Sequence, residues 1–125
     1  DGCTRINEVW WFRENDTEQA REILETPRPY AKAPEVMRVF ATRAPYRPNP
    51  IAITIVPVNH IDYEKGIIKV GYIDANDGTP VLDIKPYTPC MDRVENVGVP
   101  DWCSHWPSFM EGSATFDWAS EFTFM

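Results

Sequence analysis

The sequence predicts a mainly β fold, an antiparallel β-barrel with a short helix and an aromatic C-terminal tail. Residues 51–58 alternate with a period of two, and residues 67–73 return as a partner strand after the hairpin turn at residues 63–66. Short strands that follow one another at this spacing are typical of an antiparallel sheet or a closed barrel. The 125 residues, 43% of them hydrophobic, suffice for one core, so we expect a single domain over residues 1–125.

The first part of the chain combines extended and irregular segments. Residues 6–12 are β-branched and aromatic without a helical period, which predicts a buried strand. Asp16 fits the N-cap of a helix of two or three turns that ends before Pro27. Residues 26–34 hold three prolines and predict a loop, either a surface crossing or a functional lid. A second strand is expected to begin at Val36 and to reach Ala41.

The middle of the chain pairs a rigid loop with a strand. Residues 42–50 hold three prolines around two arginines and a tyrosine, which predicts a rigid basic loop. In the strand of residues 51–58, Ile51, Ile53 and Ile55 form one strongly apolar face.

Residues 77–89 combine a turn, a short strand and three prolines with several charged side chains. Within the strand, Asp83 and Lys85 share one face, while Leu82 and Ile84 share the other. The prolines remove backbone donors on both sides, so the strand is expected at a sheet edge or cut short at its ends. Side chains in such a place can meet a ligand.

The tail, residues 93–125, is rich in aromatic side chains among acids. Its stretches 100–107 and 116–124 contain three tryptophans and three phenylalanines, which need a surface to bury them. We expect the tail to pack back on the barrel, and a partner surface is the alternative.

The charge and the cysteines restrict the class of protein. A net charge of -7 excludes a surface built entirely for nucleic acid, because such binding depends on neutralising phosphates. Any RNA partner, such as tRNA, must meet a local basic patch, made of Arg28, Lys32, Arg38, Arg43 and Arg47. Three widely spaced cysteines fit a reduced protein of the cytoplasm better than a disulfide scaffold. No apolar run is long enough to predict a membrane span.

A metal site is not predicted. Cys103 and His105 lie two residues apart, but His60 and Cys90 show no ligand spacing that would complete a zinc site. No histidine can be placed beside Cys90 from the sequence, so it is not predicted to be a nucleophile either.

Two motifs, Phe40-Ala-Thr-Arg-Ala-Pro-Tyr-Arg-Pro-Asn-Pro-Ile51 and Asp77-Gly-Thr-Pro-Val-Leu-Asp-Ile-Lys-Pro-Tyr87, with Asp74 shortly before the second, resemble the TsaA-like family, also called TrmO-type. The resemblance covers residues 6–92 and implies a β-barrel that binds S-adenosylmethionine as a homodimer. Characterised members methylate N6 of a threonylcarbamoyl-modified adenosine beside the tRNA anticodon, so the resemblance implies this reaction.

The chain departs from the family pattern at several points. Ala44 and Ala52 stand where relatives have Ser and Gly, and Phe12-Arg13 replaces a Phe-His pair. Relatives have an N-terminal segment with a strand and a Pro-Arg-Gln loop, so we expect such a segment to be lacking before Asp1. Longer bacterial relatives have a small C-terminal domain where this chain has its aromatic tail.

The resemblance and the chemistry of the cofactor together indicate the site. Arginine suits the carboxylate of S-adenosylmethionine, carboxylates suit its ammonium and ribose hydroxyls, and aromatic faces suit its sulfonium and adenine. The residues expected to bind the cofactor are Phe12, Arg13, Arg43, Asp74, Asn76, Asp77, Gly78 and Thr79. Those expected to line the pocket or meet the substrate are Tyr46, Arg47, Asn49, Asp83, Lys85 and Tyr87.

Each of these assignments has a plainer alternative. Arg43 also fits a surface ion pair, Arg47 a dimer or phosphate contact, and Asp77-Gly78 an ordinary turn. Tyr46 and Tyr87 fit either a stacked ligand or packing against proline. No general base is indicated, so the catalytic residues stay unassigned, and methyl transfer is expected to depend mainly on aligning donor and acceptor.

The sequence thus predicts an S-adenosylmethionine-dependent methyltransferase that acts on an RNA base. The alternative is a dimer that binds S-adenosylmethionine or an adenine nucleotide without methylating RNA. A purely structural dimerisation module would leave Arg43, Asp77, Asp83 and Lys85 without a ligand.

Overall fold

A four-stranded antiparallel sheet forms the centre of the molecule, whose computed structural model describes residues 2–124. The strands are β1 (Arg5–Trp11), β2 (Glu25–Pro27), β3 (Val36–Arg38), β4 (Ile51–Asp62), β5 (Ile67–Val70) and β6 (Val81–Pro86). The α-helices are single turns, α1 (Glu18–Arg21), α2 (Pro89–Asp92) and α3 (Trp118–Glu121), and short 3₁₀ helices cover residues 13–15, 39–41, 101–103 and 110–115.

The strand order in the sheet is β5-β4-β1-β6, and every neighbouring pair is antiparallel. β1 pairs with β4 along its whole length, from Arg5 opposite Pro57 to Trp11 opposite Ile51, and with β6 on its other side. The predicted strand-rich antiparallel architecture is therefore confirmed. Within residues 2–124 the outer strands β5 and β6 do not pair with each other, so the predicted closure into a barrel is not seen.

The strongly apolar face of β4 is the exposed face of the sheet. Ile51 and Ile53 are exposed, whereas Ala52 and Val56 are buried on the opposite face. The register explains why this face is the buried one, because Ala52 lies opposite the buried Trp10 of β1 and the large indole needs a small partner there.

The predicted helix is shorter than expected, and its N-cap is Thr17 rather than Asp16. The Thr17 hydroxyl accepts from the Ala20 N–H at 3.1 Å, whereas the Asp16 carboxylate accepts from the Trp11 indole at 3.0 Å and from Arg21 at 3.0 Å. Because Asp16 bonds these two side chains, the neighbouring hydroxyl caps the helix. The helix ends at Arg21 after one turn.

Three strand boundaries also differ from the prediction. Residues 25–27, predicted as helix end and loop, form β2 and pair with β3. β3 ends at Arg38, and residues 39–41 turn into a 3₁₀ helix that the Thr42 N–H closes onto the Val39 carbonyl. β5 ends at Val70 rather than Ile73, because the next residue of β4 that it meets is Pro57, which has no N–H to donate.

β6 is an edge strand, as the prolines around it predict. All six of its residues are exposed. The turn before it is held by Gly78, whose φ of 79° favours glycine, and by the Thr79 hydroxyl, which donates to the Asn76 carbonyl at 2.6 Å.

The tail packs its aromatic rings around Tyr30. Tyr30 stacks on Trp102 with ring centroids 5.3 Å apart, meets the edge of Trp106 at 4.9 Å and forms an isolated β-bridge with Phe122. We call Tyr30, Trp102, Trp106, Trp118 and Phe122 the aromatic cluster. None of the helices within residues 2–124 has the length and apolar character needed to cross a membrane.

Candidate functional site

A cavity of about 510 Å³ opens where the end of β1, the start of β4 and the loop of residues 42–50 meet. We call it the β1–β4 cavity. Its aromatic walls are Trp10, Phe12 and Phe40, its aliphatic wall is residues 51–53 of β4, and its polar lining is Thr42, Arg43, Arg47, Asn49, Thr54 and Asp74. Five of the residues predicted from the sequence are among these: Phe12, Arg43, Arg47, Asn49 and Asp74.

The aromatic walls of the cavity are held in fixed orientations. Trp10 is buried, and its indole N–H donates to the Thr54 hydroxyl at 2.9 Å across the β1–β4 pair. Phe12 meets Trp10 edge-on, with ring centroids 4.8 Å apart. The Phe12 backbone N–H donates to the Pro50 carbonyl at 2.7 Å, which ties the end of β1 to the end of the loop.

Side chains of the loop form hydrogen bonds with backbone groups of the loop and of the 3₁₀ helix before it. The Thr42 hydroxyl donates to the Val39 carbonyl at 2.7 Å and accepts from the Ala44 N–H at 3.2 Å. The Arg47 guanidinium donates to the Thr42 and Ala44 carbonyls at 3.1 and 3.3 Å and lies 5.8 Å from the Phe40 ring centroid. Arg47 therefore acts as a brace of the loop that also lines the cavity.

Arg43 and Asp74 bring opposite charges to the same cavity. Both side chains are exposed, so a ligand can reach them. A guanidinium binds carboxylate or phosphate through paired hydrogen bonds, and a carboxylate accepts from ammonium or hydroxyl groups. With the rings of Phe12 and Phe40, the lining suits a ligand that has a planar ring, a cationic group and an anionic group.

The remaining predicted cofactor residues lie next to this cavity rather than in its lining. The Arg13 guanidinium donates to the Gly78 carbonyl at 3.1 Å, which fastens the turn of residues 76–79 to the end of β1. The Trp11 N–H, which donates to the Pro80 carbonyl at 3.1 Å, reinforces this contact. Asn76, Asp77 and Thr79 are part of the same turn.

The other predicted substrate residues are placed elsewhere. Tyr46 shares a hydrogen bond of 3.0 Å with the Thr26 hydroxyl and lines a separate groove beside β2. On β6, Lys85 lies 3.2 Å from Asp83, and this hydrogen bond, with one from the Ile84 N–H, lowers the pKa of Asp83. Tyr87 lines a groove with Arg5 and the residues after α2.

From the sequence, residues 42–51 and the end of the strand of residues 10–12 were expected to form walls of the pocket, whereas Phe40 and Thr54 were not singled out as cavity residues. Phe40 is 69% exposed, which is unusual for a phenylalanine directly before a rigid loop. Its place at the start of the first motif was the signal available in the sequence. Among residues 2–124 no group of three or more His, Cys, Asp or Glu side chains is arranged to hold a metal ion.

Comparisons with known proteins match the motifs to one family. Residues 1–93 match the model of the family described as the tRNA-methyltransferase O N-terminal domain. A probable S-adenosyl-L-methionine-binding protein of Methanocaldococcus jannaschii is 43% identical over 83 residues, which cover 66% of this chain and 64% of that protein. The tRNA (adenine(37)-N6)-methyltransferase of Escherichia coli is 45% identical over 69 residues, which cover 50% of this chain and 29% of that enzyme.

The fold is also similar to a solved structure. The crystal structure of TrmO from Pseudomonas aeruginosa superposes with a TM-score of 0.57 at 31% sequence identity, over 78% of this chain and 37% of that one. This chain spans less than two thirds of the length of each of the three proteins compared.

Proposed function

The chain belongs to the family of the tRNA-methyltransferase O N-terminal domain, and from this membership we propose that its β1–β4 cavity binds S-adenosylmethionine for methyl transfer to N6 of an adenine in tRNA. The acceptor we propose is the threonylcarbamoyl-modified adenosine beside the anticodon. The observation that carries the proposal is the meeting of Arg43, Asp74 and aromatic walls in one cavity. Relatives named as S-adenosyl-L-methionine-binding proteins support the choice of cofactor.

The side chains of the cavity fit the parts of the cofactor. We assign Arg43 to the carboxylate of the methionine moiety and Asp74 to its ammonium or to the ribose hydroxyls. The rings of Phe12 and Phe40 are assigned to the adenine and the sulfonium, which aromatic faces attract. In this proposal the residues of the cavity hold donor and acceptor in line, and no side chain is assigned as a general base.

The basic side chains of residues 28–47 are the part of the protein that we propose contacts the tRNA. Arg28, Lys32, Arg38 and Arg43 are exposed, whereas Arg47 is half-buried in the loop. Because the protein carries a net charge of -7, contacts with phosphate must be concentrated on this segment.

The second candidate function is binding of S-adenosylmethionine without methylation of RNA. Two observations favour it: the acidic net charge and the names of the archaeal relatives, which describe binding alone. The two candidates share the same cavity and differ only in what happens to the methyl group.

A homodimer belongs to the proposed function. Ile51 and Ile53 are 42% and 59% exposed on the outer face of the sheet and line the β1–β4 cavity. A second copy that covered this apolar face would also border the cofactor. The closed barrel and the cytoplasmic location remain predictions that go with the family.

Two measurements test the proposal. Titration with S-adenosylmethionine in a calorimeter should show saturable binding of one cofactor per chain, and the absence of both heat and thermal stabilisation would contradict both candidates. Incubation of the protein with methyl-labelled cofactor and tRNA that carries the threonylcarbamoyl group should then label the tRNA. If the cofactor binds and the tRNA stays unlabelled, the second candidate is correct.

A further inference from the structure

A second cavity, of about 600 Å³, shares Phe40, Thr42 and Arg43 with the β1–β4 cavity. Its other walls include Tyr30 and three tryptophans of the tail, Trp102, Trp106 and Trp118. We call it the aromatic cavity. The three tryptophans lie beyond residues 1–93, the part of the chain that the family model matches.

The rings of the aromatic cavity have defined orientations relative to one another. Trp106 is nearly perpendicular to both Tyr30 and Trp102, at 87° and 83°, and those two rings are parallel within 6°. Trp118 meets Trp106 edge-on, with centroids 5.4 Å apart. All four rings are half-buried, so part of each remains accessible to a ligand.

Hydrogen bonds hold two of the indoles in place, and the Phe122 ring covers one face of Trp118, with ring centroids 5.3 Å apart. The Trp106 N–H donates to the buried carboxylate of Glu121 at 2.9 Å, and the His105 ring nitrogen lies 2.8 Å from the same carboxylate. The Trp118 N–H donates to the Ser113 carbonyl at 2.9 Å. The indole donors are therefore used, and what these two rings offer a ligand is stacking.

The charge of the lining decides which class of ligand fits. Among the described residues that line the aromatic cavity, Arg43 alone carries a charge. A corner of aromatic rings attracts cations, but a guanidinium at the same cavity repels them. A planar ring joined to an anionic group satisfies both features, and a nucleotide of single-stranded RNA has this chemistry.

We propose that the aromatic cavity receives an unpaired adenine base of the RNA substrate, which stacks on Trp102 or Trp118, while the Arg43 guanidinium uses separate N–H groups for the cofactor carboxylate and for an adjacent phosphate. The inference rests on the proposed function and adds how the substrate is held. Because Phe40, Thr42 and Arg43 line both cavities, a base in the aromatic cavity lies beside a cofactor in the β1–β4 cavity. In this arrangement the tail supplies the substrate site.

Binding of a short single-stranded oligoadenosine tests the inference. The titration is carried out by fluorescence anisotropy in saturating S-adenosylhomocysteine, so that the β1–β4 cavity is filled before the RNA is added. At least one of Trp102→Leu and Trp118→Leu should weaken RNA binding by roughly tenfold, as the loss of one stacked base does. Phe109→Leu is the matched control, since Phe109 is an exposed aromatic residue of the tail outside the aromatic cavity.

An oligomer of the same length with abasic sugars separates stacking from attraction to phosphate. This abasic oligomer should bind the protein roughly tenfold more weakly than oligoadenosine does. Equal binding of the two oligomers, or full affinity in both tryptophan variants, would overturn the inference. Photo-crosslinking of oligoadenosine to the unaltered protein provides a readout that does not depend on the folding of a variant. Crosslinks should fall on peptides that contain Tyr30, Trp102 or Trp118, and crosslinks confined to other peptides would refute it.

The affinity for S-adenosylmethionine, measured in the same variants, separates this inference from the proposed function. Trp102 and Trp118 do not line the β1–β4 cavity, so cofactor binding should not change. If the unaltered protein binds the cofactor but no oligoadenosine, the inference fails and the proposed cofactor site stands. If RNA binding depends on the tryptophans but no cofactor binds, the proposed function fails and the RNA site stands.

Discussion

Arg43 and Arg47 belong to the same loop but have different surroundings. The guanidinium of Arg47 donates to two carbonyls of its own loop, whereas Arg43 is exposed and lines both cavities. The sequence placed both arginines in a rigid basic loop, and it did not indicate which of them braces the loop. That difference depends on the path of the backbone through Thr42 and Ala44.

Arg43→Ala should weaken binding of S-adenosylmethionine by roughly 10- to 100-fold, because a hydrogen bond to a charged group contributes about 1.5–3 kcal/mol. Isothermal titration measures the change, and the melting temperature should stay close to that of the unaltered protein. Arg93→Ala is the control, since Arg93 is an exposed arginine that does not line the β1–β4 cavity. Equal losses in the two variants would show that net charge, rather than contact, sets the affinity.

Glu8 is a buried carboxylate on the inner face of β1, between Thr54 and Ile84. Its Oε2 atom has no hydrogen-bond partner within residues 2–124, and burial raises its pKa. A carboxyl whose pKa is raised by folding stabilises the protein less as the pH rises from its ordinary pKa through the raised one.

Glu8→Gln should therefore stabilise the protein at neutral pH relative to the unaltered chain, by about 1 kcal/mol. Thermal melts at a series of pH values measure the difference, which should shrink as the pH falls from the raised pKa of Glu8 to the ordinary pKa of glutamate and stay small below it. A difference that grows toward acid pH would contradict the assignment.

The strands show which features of the fold the sequence patterns predict and which they do not. Alternation along residues 51–58 predicted β4 correctly, and the prolines around residues 81–85 predicted an edge strand. Alternation assigns the side chains of a strand to two faces but does not show which face is buried. In β4 the buried face is that of Ala52, which lies opposite Trp10, and the face of the isoleucines is exposed. The single-turn helix at Glu18–Arg21 was overestimated because Ile23 and Leu24 continue the apolar pattern without joining the core.

Gly71, directly after β5, lies so close to Pro57 of β4 that there is no room for a side chain. A Cβ atom there would lie 2.5 Å from Cγ of Pro57, within a rigid ring. Gly71→Ala should lower the free energy of unfolding by about 1–3 kcal/mol, as overpacking does. Gly98→Ala is the matched control, because a Cβ at Gly98 would have no atom within 4 Å. Denaturant unfolding compares the two, and equal stabilities would contradict the close approach.

The arrangement of the cavities depends on segments that are distant in sequence. The first motif predicted the loop of residues 42–50, and the tryptophans of the tail line the aromatic cavity together with the start of this loop and Tyr30. No periodicity relates residues 100–118 to Tyr30, so their meeting was outside what the sequence patterns could predict. The expected roles of Asp83, Lys85 and Tyr87 remain predictions, and these residues lie away from the β1–β4 cavity.

The exposed isoleucines of β4 predict how copies of the molecule associate. Ile53→Glu should convert a dimer into monomers, because a carboxylate in an apolar interface loses its hydration without a partner. Size-exclusion chromatography with light scattering measures the mass in solution. Ile68→Glu is the control, since Ile68 is 40% exposed on the edge strand β5 and does not line the β1–β4 cavity. A monomeric unaltered protein, or a dimer that persists in Ile53→Glu, would rule out this face.

Phe40, Thr42 and Arg43 line two cavities at once, which makes the two occupants thermodynamically dependent on each other. Any shift of these side chains that accompanies filling of one cavity changes the free energy of filling the other. Linkage requires the effect to be mutual, so the factor by which cofactor alters RNA affinity must equal the factor by which RNA alters cofactor affinity. Two titrations, each carried out with the other ligand present and absent, complete the thermodynamic cycle. They measure the coupling free energy between cofactor binding and RNA binding.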